Sequence, residues 1–224
     1  MFGIDFEEFL FVLSFAAIPG VFAITLHEVA HGWAAKQLGD STASALGRLS
    51  VNPLRHIDPI GTVVVPIGLA LLTNGATTFG WAKPVPVDAT KLRNPRRDMV
   101  IVAAAGPGSN LLMATFWTIV AMLIYGLGFS GTVLGGWVIL GCAAGIWLNI
   151  WLMVFNLVPI PPLDGGRVLA GFLPPPVANV VARIEPVGII IVLLLALVPP
   201  QVLFQVIEPV FRYFHDFFYA AAGF

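Results

Sequence analysis

From Phe9 to about Leu38 the chain is a near-continuous apolar run, and a run of that length has few ways to fold. A helix needs about 20 residues to cross the hydrocarbon of a bilayer, and only helices and closed barrels satisfy their own backbone there. The run reads as a membrane helix, with a kink at Pro19-Gly20 and an end at Gly39-Asp40. Similar runs extend from Asp98 to about Tyr125 and from Val133 to Val158. Composition agrees, since 58% of the 224 residues are hydrophobic and 10% charged, against about 25% charged in a soluble domain. The expected fold is an all-α polytopic membrane protein, one domain over residues 1–224. It should be a bundle of about four to six transmembrane or re-entrant helices.

The formal net charge of -1 offers no basic surface, so a nucleic-acid partner is not expected. Cys142 is the single cysteine, which removes disulfide frameworks and cysteine-ligated metals from consideration. Any metal must use His, Asp or Glu. The acidic start, Asp5, Glu7 and Glu8, is unlike a secretory signal, so the first apolar run is expected to remain in the mature protein. Those acids before the first helix and Lys36 after it place the N-terminus outside and the second half of the helix toward the cytoplasm.

Between the long runs lie segments that do not read as spans. Leu46 to Gly61 is polar and turn-rich and should follow the cytoplasmic interface, with His56 as a solvated hydrogen-bonding residue or, as the alternative, a further ligand or proton carrier. Ile60 to Leu72 is short and broken by Pro66, which favours a re-entrant segment, although extension through Thr73 to Phe79 would make it a span. Phe79 to Asp88 alternates bulky and small residues with prolines and reads either as an extended edge strand near the site, able to hold a substrate backbone by strand addition, or as a loop packed on the bundle. Asn110 should be helix-helix glue or active-site support. Asn149 and Asn156 share one side of their helix. Val187 to Val198 and Val202 to Ile207 suggest one kinked crossing, and the tail from Glu208 an amphipathic interfacial helix.

Chemistry concentrates in His27-Glu28-Val29-Ala30-His31. Histidines at i and i+4 lie one turn apart on the same face, where they can share a metal ion, and the glutamate beside them is placed to work on that ion's water. A hydrolytic zinc site wants a third protein ligand and an open position. Asp164 is the strongest candidate, a lone acid in Asn156-Leu157-Val158-Pro159-Ile160-Pro161-Pro162-Leu163-Asp164-Gly165-Gly166-Arg167, whose prolines and glycines interrupt an apolar helix. Unwound backbone near membrane depth is tolerated only inside protein or beside a wet cavity, so the break marks a site. Glu185 is the second candidate.

The two motifs in this order, with Gly106-x-x-x-Asn110 between them, resemble the site-2 proteases, a family of intramembrane zinc metalloproteases. The resemblance covers most of the chain and is closest to compact members carrying the Asn52-Pro53 and Phe79-Gly80-Trp81 segments. It implies one Zn2+ per chain held by His27, His31 and Asp164, Glu28 as general base and acid, and Asn156 near the substrate or oxyanion. It implies cleavage in or near a transmembrane segment of a membrane protein substrate, whose helix must unwind locally, in regulated intramembrane proteolysis. The partners are then that substrate helix and the lipid bilayer, in the plasma membrane of a prokaryote, with the active site toward the cytoplasmic side. No PDZ-like or nucleotide-sensing domain fits within these residues. The alternative is a metal transporter or sensor using the same histidines and aspartate, which would need a polar path to the opposite face.

Overall fold

The structure, a computed structural model, describes residues 6–72, 80–197 and 200–224. Among them the α-helices are α1 (Phe6–Gln37), α2 (Thr42–Ala45), α3 (Val65–Leu72), α4 (Pro95–Gly126), α5 (Val133–Asn156), α6 (Asp164–Phe172), α7 (Pro175–Leu197) and α8 (Pro200–Ala222). Within α1, α4 and α5 lie the apolar stretches long enough to cross a membrane, Leu10–Gln37, Pro95–Gly126 and Val133–Asn156. The molecule is an all-α integral membrane protein built on these three, which pack against one another.

Lipid is as apolar as leucine, so helices in a bilayer associate through close packing and hydrogen bonds more than through the hydrophobic effect. The contacts here follow that rule. Ala23, Ala103, Ala114 and Ala121 are buried between helices, and a Cβ on Gly145 of α5 would strike the Trp117 indole of α4 at 2.5 Å. Ile146, Ile150, Met153 and Val154 of α5 fill the centre with Val192 of α7 and Ile207 and Phe218 of α8.

Helix ends are set by local chemistry. Thr132 caps α5 by accepting a hydrogen bond from Gly135 N–H at 3.0 Å. Pro95 opens α4, and the Asp98 carboxylate reaches back to Asn94 N–H at 2.8 Å. Asn52 caps the 3-10 turn Pro53–Arg55, and Asp58 caps the π-turn Pro59–Val64 that leads into α3. The described part of this apolar helical segment, Pro59–Leu69, is shorter than the three long helices. Its extension through Thr73 to Phe79 lies outside the described residues.

One C-terminal expectation changes. Val187–Leu197 lies in α7 and Val202–Ile207 in α8, and the junction at 198–199 lies outside the described residues. Helix α8 is not a free interfacial helix, because it lies along α5. Phe211 packs edge-on to Trp147 and Trp151, and the Tyr219 hydroxyl donates to Ala143 O at 3.4 Å. Ile207, Phe218 and Ala222 are buried against protein, whereas Val206, Tyr213 and Phe217 remain exposed.

The segment 80–88 is extended, and no strand occurs among the described residues. Its N–H groups are anchored singly, Trp81 to Gly61 O at 3.0 Å and Lys83 to His56 O at 2.8 Å. Asp40 secures the far end. Just past α1, after Gly39 turns the chain with φ +115°, the fully buried Asp40 carboxylate accepts from Thr42 N–H at 2.9 Å and Asp88 N–H at 2.7 Å. Burial pushes this carboxyl up, but the hydrogen bonds from Thr42 and Asp88 and the charge of Lys91 outweigh that and hold it below the ordinary carboxylate range.

A lowered folded-state pKa contributes stability that is complete above the unfolded value of about 3.9 and is lost as pH falls through the folded value. Asp40→Asn is therefore expected to destabilise the detergent-solubilised protein by about 1–3 kcal/mol near neutral pH. Thermal unfolding of the two proteins should converge as pH drops below about 4.

Candidate metal centre

In the second half of α1, helical periodicity puts His27 and His31 on one face, and both are buried. Their Nε2 atoms lie 3.1 Å apart. Asp164 Oδ2 lies 3.2 Å from the first and 3.3 Å from the second. The expected three residues are thus brought together, two from α1 and one from the first residue of α6.

The break after α5 delivers the aspartate. It is shorter than the sequence suggested, because Gly165 and Gly166 already belong to α6 and only residues 157–163 are non-helical. A Cβ on Gly165 would strike the Leu157 and Val158 carbonyl groups, and one on Gly166 would meet Pro161 N at 2.5 Å. The chain can fold back this tightly only with glycine there. On the opposite side α4 comes equally close, since a Cβ on Gly106 would collide with both imidazoles, at 2.7 Å from His27 Cε1.

Proton positions decide what these atoms can do. His31 Nδ1 lies 2.7 Å from Val102 O, a carbonyl that only accepts, so Nδ1 carries the proton. His27 Nδ1 lies 2.6 Å from Asn110 Oδ1. Asn110 donates its own Nδ2 to Asn149 Oδ1 at 2.9 Å and Ala23 O at 3.2 Å, which fixes its oxygen toward the histidine. With Nδ1 engaged on the far side of each ring, Nε2 is the nitrogen each histidine turns to the other and to Asp164 Oδ2. Oδ2 is buried and accepts no hydrogen bond, despite its nearness to the two nitrogens. Three ligand atoms converging within 3.3 Å of one another fit a cation, and two nitrogens with a carboxylate oxygen form a donor set that suits zinc.

The triad opens on a cavity of about 590 Å³. Glu28, Asn156, His56, Arg167 and Trp81 share its wall with apolar residues including Ile24, Met99 and Phe155. Glu28 is half-buried, and its Oε2 accepts from Val85 N–H at 2.7 Å, so the extended segment holds the carboxylate at the cavity. That contact was not foreseen, because nothing local links Glu28 to a residue in the loop beyond α3. The segment also has less to offer a passing backbone than an open strand edge. The N–H groups of Trp81, Lys83 and Val85 are engaged, and Pro84 and Pro86 have none.

The remaining candidates separate. Asn156 reaches the cavity, with its Nδ2 bonded back to Leu152 O at 2.9 Å. Glu185 is not near the histidines but pairs with Arg167, Nε to Oε1 at 2.9 Å. His56 is buried, not solvated, and its Nε2 donates to Ser50 O at 2.8 Å.

Comparison with known proteins adds the following. The sequence model described as Peptidase family M50 matches residues 136–197, which include Asn156 and Asp164. The Bacillus subtilis (strain 168) protein named "Putative zinc metalloprotease YwhC" is 37% identical over 194 residues, 85% of this chain and 83% of that protein. Rip2 of Mycolicibacterium smegmatis, which bears the same designation, is 28% identical over 189 residues, 79% of this chain and 64% of its own length. Rip2 of Mycobacterium tuberculosis (strain H37Rv) is 29% identical over 177 residues, with the same coverage. No solved structure matches.

The close approach at Gly106 can be tested against a neighbour on the same helix. Gly106→Ala is expected to abolish metal retention, measured as zinc per purified chain. Gly108→Ala, where a Cβ meets nothing within 4 Å, should leave it unchanged.

Proposed function

Because the chain belongs to peptidase family M50, the site-2 protease family, we propose that it is an intramembrane zinc endopeptidase that cuts a peptide bond in or near a transmembrane segment of another membrane protein. The observation that carries this reading is the meeting of His27 Nε2, His31 Nε2 and Asp164 Oδ2, 3.1–3.3 Å apart, beside a glutamate and a cavity within an apolar bundle. His27, His31 and Asp164 would hold one zinc ion. When bound, zinc supplies a Lewis acid that polarises a carbonyl and acidifies water at neutral pH.

The chain's own residues do the rest. Glu28 takes a proton from the attacking water and returns it to the leaving amine. Its Oε2 is held by Val85 N–H, so Oε1 is the oxygen that carries the proton. The Asn156 amide stands in the same cavity and can donate to the oxyanion, in competition with its bond to Leu152 O. Asn110 and Val102 keep the imidazoles in the ligand tautomer.

The substrate is a membrane-embedded helix, and its scissile amide must leave its helical hydrogen bond before it can be attacked. Residues that weaken a helix near the cut therefore favour cleavage. Lys36, Lys91, Arg93, Arg96 and Arg97 flank the metal-proximal ends of α1 and α4, which by the positive-inside rule turns this end to the cytoplasm of a prokaryotic plasma membrane. Water reaches the site from that side.

Glu28→Gln is expected to lower cleavage of a co-reconstituted membrane protein substrate by at least about 10²–10⁴-fold while zinc content stays at the wild-type level. Asp164→Ala should lose the zinc itself. Full cleavage by the Glu28→Gln protein would refute the mechanism, and wild-type protein isolated without chelators and free of zinc would refute the metal.

A further inference from the structure

We infer that Asn149, which lines neither the cavity nor the metal triad, is a positioning residue for the metal and acts through Asn110 on His27. The inference rests on the reading of His27 as a zinc ligand. Its basis is a chain of side-chain hydrogen bonds whose direction is fixed at both anchors. Asn149 Nδ2 donates to Gly145 O at 2.8 Å, a carbonyl that can only accept, so Asn149 Oδ1 is turned toward α4. Asn110 Nδ2 donates to that oxygen at 2.9 Å and to a second fixed acceptor, Ala23 O, at 3.2 Å. Asn110 Oδ1 is left facing His27 Nδ1 at 2.6 Å.

An asparagine amide can flip, and the two orientations have opposite consequences for the metal. With oxygen toward His27, Nδ1 is protonated and Nε2 offers its lone pair to the triad. With nitrogen toward His27, Nδ1 must accept, the proton moves to Nε2, and that nitrogen cannot ligate without losing it. Ala23 O alone gives Asn110 one acceptor for two amide protons. Asn149 supplies the second acceptor and favours the productive orientation. Both asparagines are fully buried, with no exposed surface from which water could replace the bond.

Outer-shell partners of metal ligands are typically worth about 10- to 100-fold in metal affinity. Asn149→Leu keeps similar volume and removes the acceptor, so zinc affinity, measured by competition with a chromogenic chelator, should fall by about that factor. The same substitution in an Asn110→Ala background should cause no further loss, because the effect passes through Asn110. Thr118→Val, another buried polar site on α4, should leave affinity unchanged.

A purely structural role predicts equal losses from Asn149→Leu in both backgrounds, and that result overturns the inference, as does wild-type affinity in the single variant. A wild-type protein that binds no zinc overturns the metal reading and the relay with it, whereas zinc binding by the wild type with an unaffected Asn149→Leu variant overturns only the relay. Should the variants not fold, 15N chemical shifts of His27 in metal-free wild-type protein decide the matter. The Nδ1–H tautomer supports the relay, and the Nε2–H tautomer refutes it.

Discussion

Hydrocarbon offers no hydrogen-bond partners, and most of this structure follows from that constraint. Every polar atom below the interface must find its partner within the protein. The three long helices satisfy their backbones internally. The polar side chains among them are tied to carbonyl groups, Asn149 to Gly145 O, Asn110 to Ala23 O and His31 to Val102 O. His27 Nε2, His31 Nε2 and Asp164 Oδ2 converge where a cation can satisfy them together. A convergence that would be destabilising in any other apolar core is what makes this one a binding site.

Proximity comes from missing side chains. Gly106 lets α4 approach the histidines, Gly145 accommodates the Trp117 indole, and Gly165 with Gly166 lets the chain reverse after α5 so that Asp164 faces α1. Because lipid does not drive helices together, such close contact also supplies the packing that holds them. The residues that admit the site to the bundle therefore also stabilise it, and they are poor targets for adjustment of one property alone.

Much of this was legible in the sequence, for reasons that differ by residue. His27 and His31 are related by one helical turn, which spacing alone reveals. Asp164 announced itself as a lone acid where prolines break an apolar run. Contacts between distant segments left no such trace. The Val85 bond to Glu28 joins a loop to a helix, and the partnership of Asn110 with Asn149 depends on how α4 and α5 face one another. His56, beside Arg55 and Asp58, looked solvated because its neighbours are polar, yet the turn folds its ring inward. In α8 the periodicity identified an apolar face without saying whether lipid or α5 would cover it.

The division of the triad between α1 and α6 has a consequence for biogenesis. Both histidines are made before α4 and α5, whereas the aspartate arrives only after those helices have been threaded and the chain has reversed. Until then the histidine pair lacks its anionic complement, and a metal held by two imidazoles dissociates readily. On the proposed reading zinc acts as a clasp between α1 and α6, and its binding free energy adds to the stability of the assembled protein. Such a protease gains its reactive centre only after the three long helices that surround it have all been made.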